Sequence, residues 1–102
     1  TALHQTGWFA APRAARLLIA RGAPLDVRGD DHDSTPLGWV THGSRYSGGA
    51  EEREAVYAEI AEALLAAGAP FPGPGEAWDR EQHAVASDAV RAVLARFGWG
   101  AT

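Results

Sequence analysis

The feature that most limits what this chain can fold into is a repeat. Thr35-Pro36-Leu37-Gly38-Trp39 has nearly the chemistry of Thr1-Ala2-Leu3-His4, and each leads into an apolar helical run ending in Gly-Ala-Pro. Aligned on their glycines, Leu17-Leu18-Ile19-Ala20-Arg21-Gly22-Ala23-Pro24 and Ala63-Leu64-Leu65-Ala66-Ala67-Gly68-Ala69-Pro70 agree at five of eight positions. A unit repeated in this way cannot bury its apolar face alone and has to stack on its neighbours.

Thr1 to Phe9 reads as a short helix, with Thr1 as N-cap and Leu3 on the apolar side. Ala10-Ala11 make a turn, and Pro12 falls at the first position of a second helix, where a missing N–H does no harm. Ala15, Leu18 and Ile19 recur at helical spacing until Gly22, expected as a left-handed C-cap, and Pro24 end the run. Pro24 to Ser34 is polar, and glycine beside paired aspartates in Gly29-Asp30-Asp31 predicts a projecting, hairpin-like loop.

Thr35-Pro36 restarts the pattern, and His42-Gly43 is expected to close the second short helix. From Thr1 to Gly22 is 21 residues, but from Thr35 to Gly68 is 33, an insertion of 12. The extra residues are placed around 44–55, as a flexible loop, an acidic helix start at Glu51-Glu52, and one to two added turns of the following helix. Phe71-Pro72-Gly73-Pro74-Gly75 cannot be helix. Ala77 to Gly98 is again 21 residues, with Ser87 or Asp88 capping a last helix that carries Val90, Val93, Leu94 and Phe97.

These residues resemble ankyrin repeats of a bacterial type: a Thr-Pro-Leu-His-like opening, Leu-Leu-x-x-Gly-Ala near the end, and Thr1 and Thr35 lying 34 apart. The resemblance implies an all-α solenoid of stacked antiparallel helix pairs with projecting loops. It divides a single domain, 1–102, into units of about 1–29, 30–72 and 73–102, the last a degenerate cap. Departures are Gly38 where the family has His, Gln5-Thr6-Gly7 in place of apolar and small residues, and Asp33 in place of a turn glycine. The family's His, here His4, is expected to hydrogen-bond between adjacent loops. Family partners lie along the loop tips and the short-helix face. That surface maps here onto Arg28, Asp31, His32 and Ser34 on the loop, Trp8 and Phe9 after the first short helix, and His42 and Gly43 after the second. Large aromatics beside polar groups suit an interface, though Trp8 or Phe9 could equally pack on a flanking repeat.

Other chemistries find less support. A net charge of −4 argues against a nucleic-acid backbone as ligand, and no apolar run approaches a membrane span. The chain has no Cys, and His4, His32, His42 and His83 form no compact ligand spacing, so no metal or cofactor is expected. Asp30-Asp31-His32-Asp33 is read as a solvated turn. No nucleophile motif or phosphate-cradling glycine loop is present, and no catalytic residue is assigned. With no methionine and an opening inside a repeat, the chain is expected to be a segment of a longer protein, and no signal peptide is visible, so a cytoplasmic location is expected. The leading expectation is a non-catalytic protein-recognition module. The alternatives are a regulatory or substrate-positioning appendage of a larger enzyme, and a stack that self-associates through exposed repeat ends around Leu3 and Ala15.

Overall fold

The computed structural model describes residues 1–29 and 34–100. Six α-helices and no strand occur among the described residues, so the fold is all-α: α1 Ala2–Trp8, α2 Pro12–Ala20, α3 Pro36–Tyr46, α4 Glu54–Ala66, α5 Ala77–Val85 and α6 Asp88–Arg96. Helices α1, α3 and α5 pack side by side in one row, and α2, α4 and α6 in a second. Each short helix also packs on the helix that follows it. The core lies between the rows, where Leu3, Ala15, Leu37, Val40, Tyr57, Ile60, Leu64, Val90 and Leu94 are buried.

The starts of the helices follow from their caps. Thr1 and Thr35 accept the backbone N–H of His4 and Gly38, and Pro12 and Pro36 stand at first helical positions. Ser87 caps α6 by accepting from Val90 N, and its own N–H donates to Ser44 Oγ at 3.1 Å. The ends are one motif used three times. Gly22, Gly68 and Gly98 have φ of 81°, 101° and 103°. The N–H of the residue after each donates five positions back, Ala23 to Leu18, Ala69 to Leu64 and Trp99 to Leu94, at 2.9–3.0 Å. This is the hydrogen-bond pattern of a Schellman cap, whose left-handed residue glycine adopts without a Cβ penalty.

The twelve inserted residues divide evenly. Helix α3 is four residues longer than α1, α4 is four longer than α2, and the α3–α4 connection is four longer than the α1–α2 connection. The second short helix therefore does not close at His42-Gly43 but runs a turn further, to Tyr46. Gly43 is an interior residue of α3 because the helices meet there: a Cβ on it would lie 3.0 Å from both Gly7 O and the Tyr57 ring. The acidic Glu51-Glu52 segment forms a 3-10 turn, Glu51–Arg53, ahead of α4. Glu54 Oε1 accepts the Ala89 N–H at 2.8 Å in the first turn of α6. Phe97 is the C-cap of α6 and stays 38% exposed, outside the packed face.

The loop after α2 was expected to project as a hairpin. Gly29 N–H donates to Ser34 O at 2.8 Å, which brings its ends together, while 30–33 lie outside the described residues. Surface ion pairs join adjacent units: Arg16 with Glu59, Arg28 with Glu76 and Arg96 with Glu62, each at 3.0 Å. Being solvated, such pairs add at most about 1 kcal/mol each. Among the described residues no helix is long and apolar enough to cross a membrane.

Candidate functional site

The row α1–α3–α5 carries an aromatic face. Trp39, His42 and Tyr46 fall at i, i+3 and i+7 of α3, one stripe of the helix. Trp8 of α1 stacks on His42, with centroids 5.3 Å apart and planes at 23°, and meets Trp39 edge-on at 6.0 Å. Trp78 of α5 lies 5.0 Å from His42 and 6.0 Å from Trp39, and Tyr46 lies 5.0 Å from His42. Four rings from the three helices of this row thus meet around one imidazole. They are half-buried except Tyr46, which is exposed. Phe9 beside them is 64% exposed, the most open large apolar side chain of those described.

The placement of these rings is fixed from behind. His42 Nδ1–H donates to the Gln82 amide oxygen of α5 at 2.8 Å. Tyr57 of α4 is fully buried, and its hydroxyl donates to Trp8 O at 2.8 Å, tying the end of α1 to the second row. Ser47 supports the same hydroxyl.

Next to the aromatic face, a groove of about 300 Å³ opens between Trp8, Phe9 and Trp39 over His4, Gln5 and Gly29. His4 spans the floor. Its Nε2–H donates to Ser34 O at 2.7 Å, as the family resemblance implied, and its Nδ1 accepts the Thr1 hydroxyl at 2.7 Å. Burial lowers its pKa below the ordinary 6.5, against the hydrogen bond to Ser34, which raises it.

The site residues expected from sequence divide into three groups. Trp8, Phe9 and His42 come together on this face. Arg28 is half-buried and pairs with Glu76 across the stack, so it links units. Ser34 and Gly43 are corrections: Ser34 is 0% exposed, and Gly43 is buried between α1 and Tyr57, so neither lies on the open surface expected of it. Asp31 and His32 lie outside the described residues. Sequence reading left Trp39 and Trp78 out of the site and placed Tyr46 in an exposed loop. The i, i+3, i+7 spacing in α3 was the available signal, hidden by ending the helix at Gly43.

Two buried titratable groups sit behind the face. Asp79 is 1% exposed; its Oδ2 accepts Thr35 N–H at 3.5 Å, and its Oδ1 has no partner among the described residues. Ser34 Oγ adjoins it, but its single proton is directed at Thr35 O. Burial raises the Asp79 pKa; Ser34, Thr35 N–H and Arg28 oppose that in part. His83 is also 1% exposed. Thr41 donates its proton to Gly38 O, so His83 Nδ1–H is the donor to Thr41 Oγ1 at 3.2 Å. Its Nε2 is therefore a bare lone pair near the rings of Phe71 and Trp99, and burial pushes its pKa down to about 4. Neither group opens onto the groove described above. Among the described residues no three His, Asp or Glu side chains converge as metal ligands.

The apolar flank is not at Leu3 and Ala15, which are 2% and 0% exposed. It is a shallow groove of about 380 Å³ formed by Phe9, Ala11, Ala14, Leu17 and Leu18, with Leu17 51% exposed. No protein-family model matches the chain, and no curated protein or solved structure matches it either.

Proposed function

We propose that this chain is an ankyrin-repeat module that recognises a protein partner through the face built by α1, α3 and α5. Three identical Schellman ends and the His4 bond to the next loop support the repeat assignment. The observation that carries the function is the cluster of Trp8, Trp39, His42, Tyr46 and Trp78, with exposed Phe9 at its edge. Half-exposed tryptophan and tyrosine held rigidly by a second layer are the residue types that dominate binding energy at interfaces. The module acts by binding and not by catalysis: Asp79 and His83 lie in the interior, and His4, at the groove, has both ring nitrogens hydrogen-bonded within the fold. Alanine at both Trp8 and Phe9 tests the reading on a partner captured with the intact chain. Binding falls at least tenfold while the fold is kept; unchanged binding by the folded double variant refutes it.

A second reading, self-association, is favoured by one observation. Counted back from the terminal glycines, Leu18 corresponds to Leu64 and Leu94, which are fully buried, whereas Leu18 is half-exposed and its neighbour Leu17 is open. A second copy covering this flank would bury it. Sedimentation of Leu17→Glu against the parent chain decides: the parent dimerises and the variant does not, or both are monomers and the reading fails.

A further inference from the structure

We propose that the apolar groove on the open side of α1 and α2 receives an amphipathic helix of a partner protein, its apolar stripe flanked by acidic residues. This surface meets the aromatic face only at Gln5 and Phe9. The groove, about 380 Å³, runs between two helical ridges. Ala2, Gln5, Thr6 and Phe9 fall at i, i+3, i+4 and i+7 along α1, and Ala14, Leu17 and Leu18 at i, i+3 and i+4 of α2. A trough between two such ridges accepts the ridge of a third helix, the helix-in-groove mode of recognition. Elsewhere in the second row the same side of a long helix is covered by a helix, α4 by α2 and α6 by α4.

Charge selects the partner. From Ala2 to Arg21 the chain has three arginines and no acidic residue. Arg16 of α2 reaches Glu59 of α4, and Arg96 of α6 reaches Glu62 of α4, each at 3.0 Å. Each contact between neighbouring long helices therefore sets an Arg–Glu pair beside its apolar seam. Arg13 and Arg21 are exposed and have no carboxylate partner among the described residues. Arg13 stands four residues before Leu17 and Arg21 four after it, so the two bracket the groove. A helix laid over Leu17 and Leu18 with a glutamate near each end completes, on the open side of α2, the pairing that Arg16 makes on the other. Exposed pairs of this kind add little affinity, but they decide which partner fits and in what orientation. A second copy applied through the same flank presents the same arginines and no carboxylate, so like charges meet and the fit is poorer.

The probe is a capped, alanine-based helix of about eighteen residues, long enough to be helical alone. It carries leucine at i, i+3, i+4 and i+7 and a glutamate beyond each end of that stripe; twins have glutamine or lysine in place of the glutamates. Each is titrated into the isotope-labelled intact chain, and the methyl signals of Ala14, Leu17 and Leu18 and the Nε–H signals of Arg13 and Arg21 are followed. The glutamate helix moves these signals saturably, the glutamine twin binds about threefold more weakly, and the lysine twin about tenfold more weakly. Arg13→Glu with Arg21→Glu, both on the surface, reverses the order, and Leu17→Glu loses the response. Equal binding of the three helices, or an order that the arginine double variant leaves unchanged, overturns the proposal. Shifts confined to other residues, or no shift at all, overturn it as well. Flank signals that move with protein concentration alone place a second copy there, which overturns the proposal in favour of self-association. The same titration on the protein as its cell makes it gives the same shifts; their absence there shows the flank covered by another part of that protein, and the proposal falls. Recognition through the aromatic face is judged separately, by the Trp8 and Phe9 double variant on the captured partner.

Discussion

The Asp79 carboxylate occupies the space that a side chain on Gly38 would fill. A Cβ on Gly38 would lie 2.6 Å from Asp79 Oδ1 and 2.2 Å from Ser34 Oγ. Counted from the helix caps Thr1, Thr35 and Glu76, residues His4, Gly38 and Asp79 are the third residues of α1, α3 and α5. His4 reaches Ser34 O from one side and Asp79 reaches Thr35 N from the other, so the start of α3 is clasped by both neighbouring helices. Loss of the side chain at 38 makes room for the second half of the clasp.

Gly38→Ala is therefore expected to destabilise the fold by about 1–3 kcal/mol, the usual cost of overpacking. Asp79→Ala relieves the carboxylate's share of the clash and leaves that of Ser34 Oγ, and the two changes are expected to be non-additive by more than about 0.5 kcal/mol. Urea unfolding of both single variants and the double variant measures this. Strict additivity would show that Asp79 does not fill the space at 38.

Stability is expected to depend on pH through His83. Its folded pKa, about 4, lies below the ordinary 6.5, so between these values the unfolded chain binds the extra proton. The contribution is complete above pH 6.5 and is lost as pH falls towards 4, by up to about 3 kcal/mol at 1.36 kcal/mol per pKa unit. His4 is lowered too and acts in the same direction. Asp79, whose pKa is raised, acts oppositely: its contribution is present at low pH and lost as pH rises through the folded pKa. Unfolding midpoints from pH 4.5 to 7.5 should rise with pH, and His83→Phe should flatten the rise. A midpoint that falls across this range would contradict the assignment.

Tyr57→Phe removes the donor to Trp8 O without changing the ring. Leaving that carbonyl unsatisfied is expected to cost about 1–3 kcal/mol, with a shift of the Trp8 indole signal on the opposite side of the stack. Wild-type stability in Tyr57→Phe would show that Trp8 is placed by its ring contacts alone.

Trp8→Ala with Phe9→Ala is expected to change stability far less than Tyr57→Phe does per atom removed. Phe9 is exposed and Trp8 half-exposed, so little of the buried core is lost. Calorimetry checks this. A double variant that unfolds at room temperature would make the aromatic face part of the core, not a recognition surface.

The helix pairs were legible in sequence because glycine, the residue that ends each long helix, also marks the period. What the sequence hid lies where one residue type serves two purposes. Gly43 was read as a terminator, yet it is a contact point in mid-helix, and that reading cost Tyr46 and the aromatic stripe. Ser34 was read as a loop tip, but the carbonyl that His4 needs and the hydroxyl beside Asp79 place it inside. Trp78 escaped notice because α5 lacks the Thr-x-Leu opening that aligned the first two units. Its ring joins the others only through packing between helices far apart in sequence.

On the reading proposed above, the chain meets its partner through the α1–α3–α5 row. A photo-reactive benzophenone side chain placed at exposed Phe9, and in a separate variant at exposed Ala92 on α6, tests it in one experiment with the partner present. A cross-linked partner is expected from position 9 and none from position 92. A cross-link from position 92 with none from position 9 would contradict it.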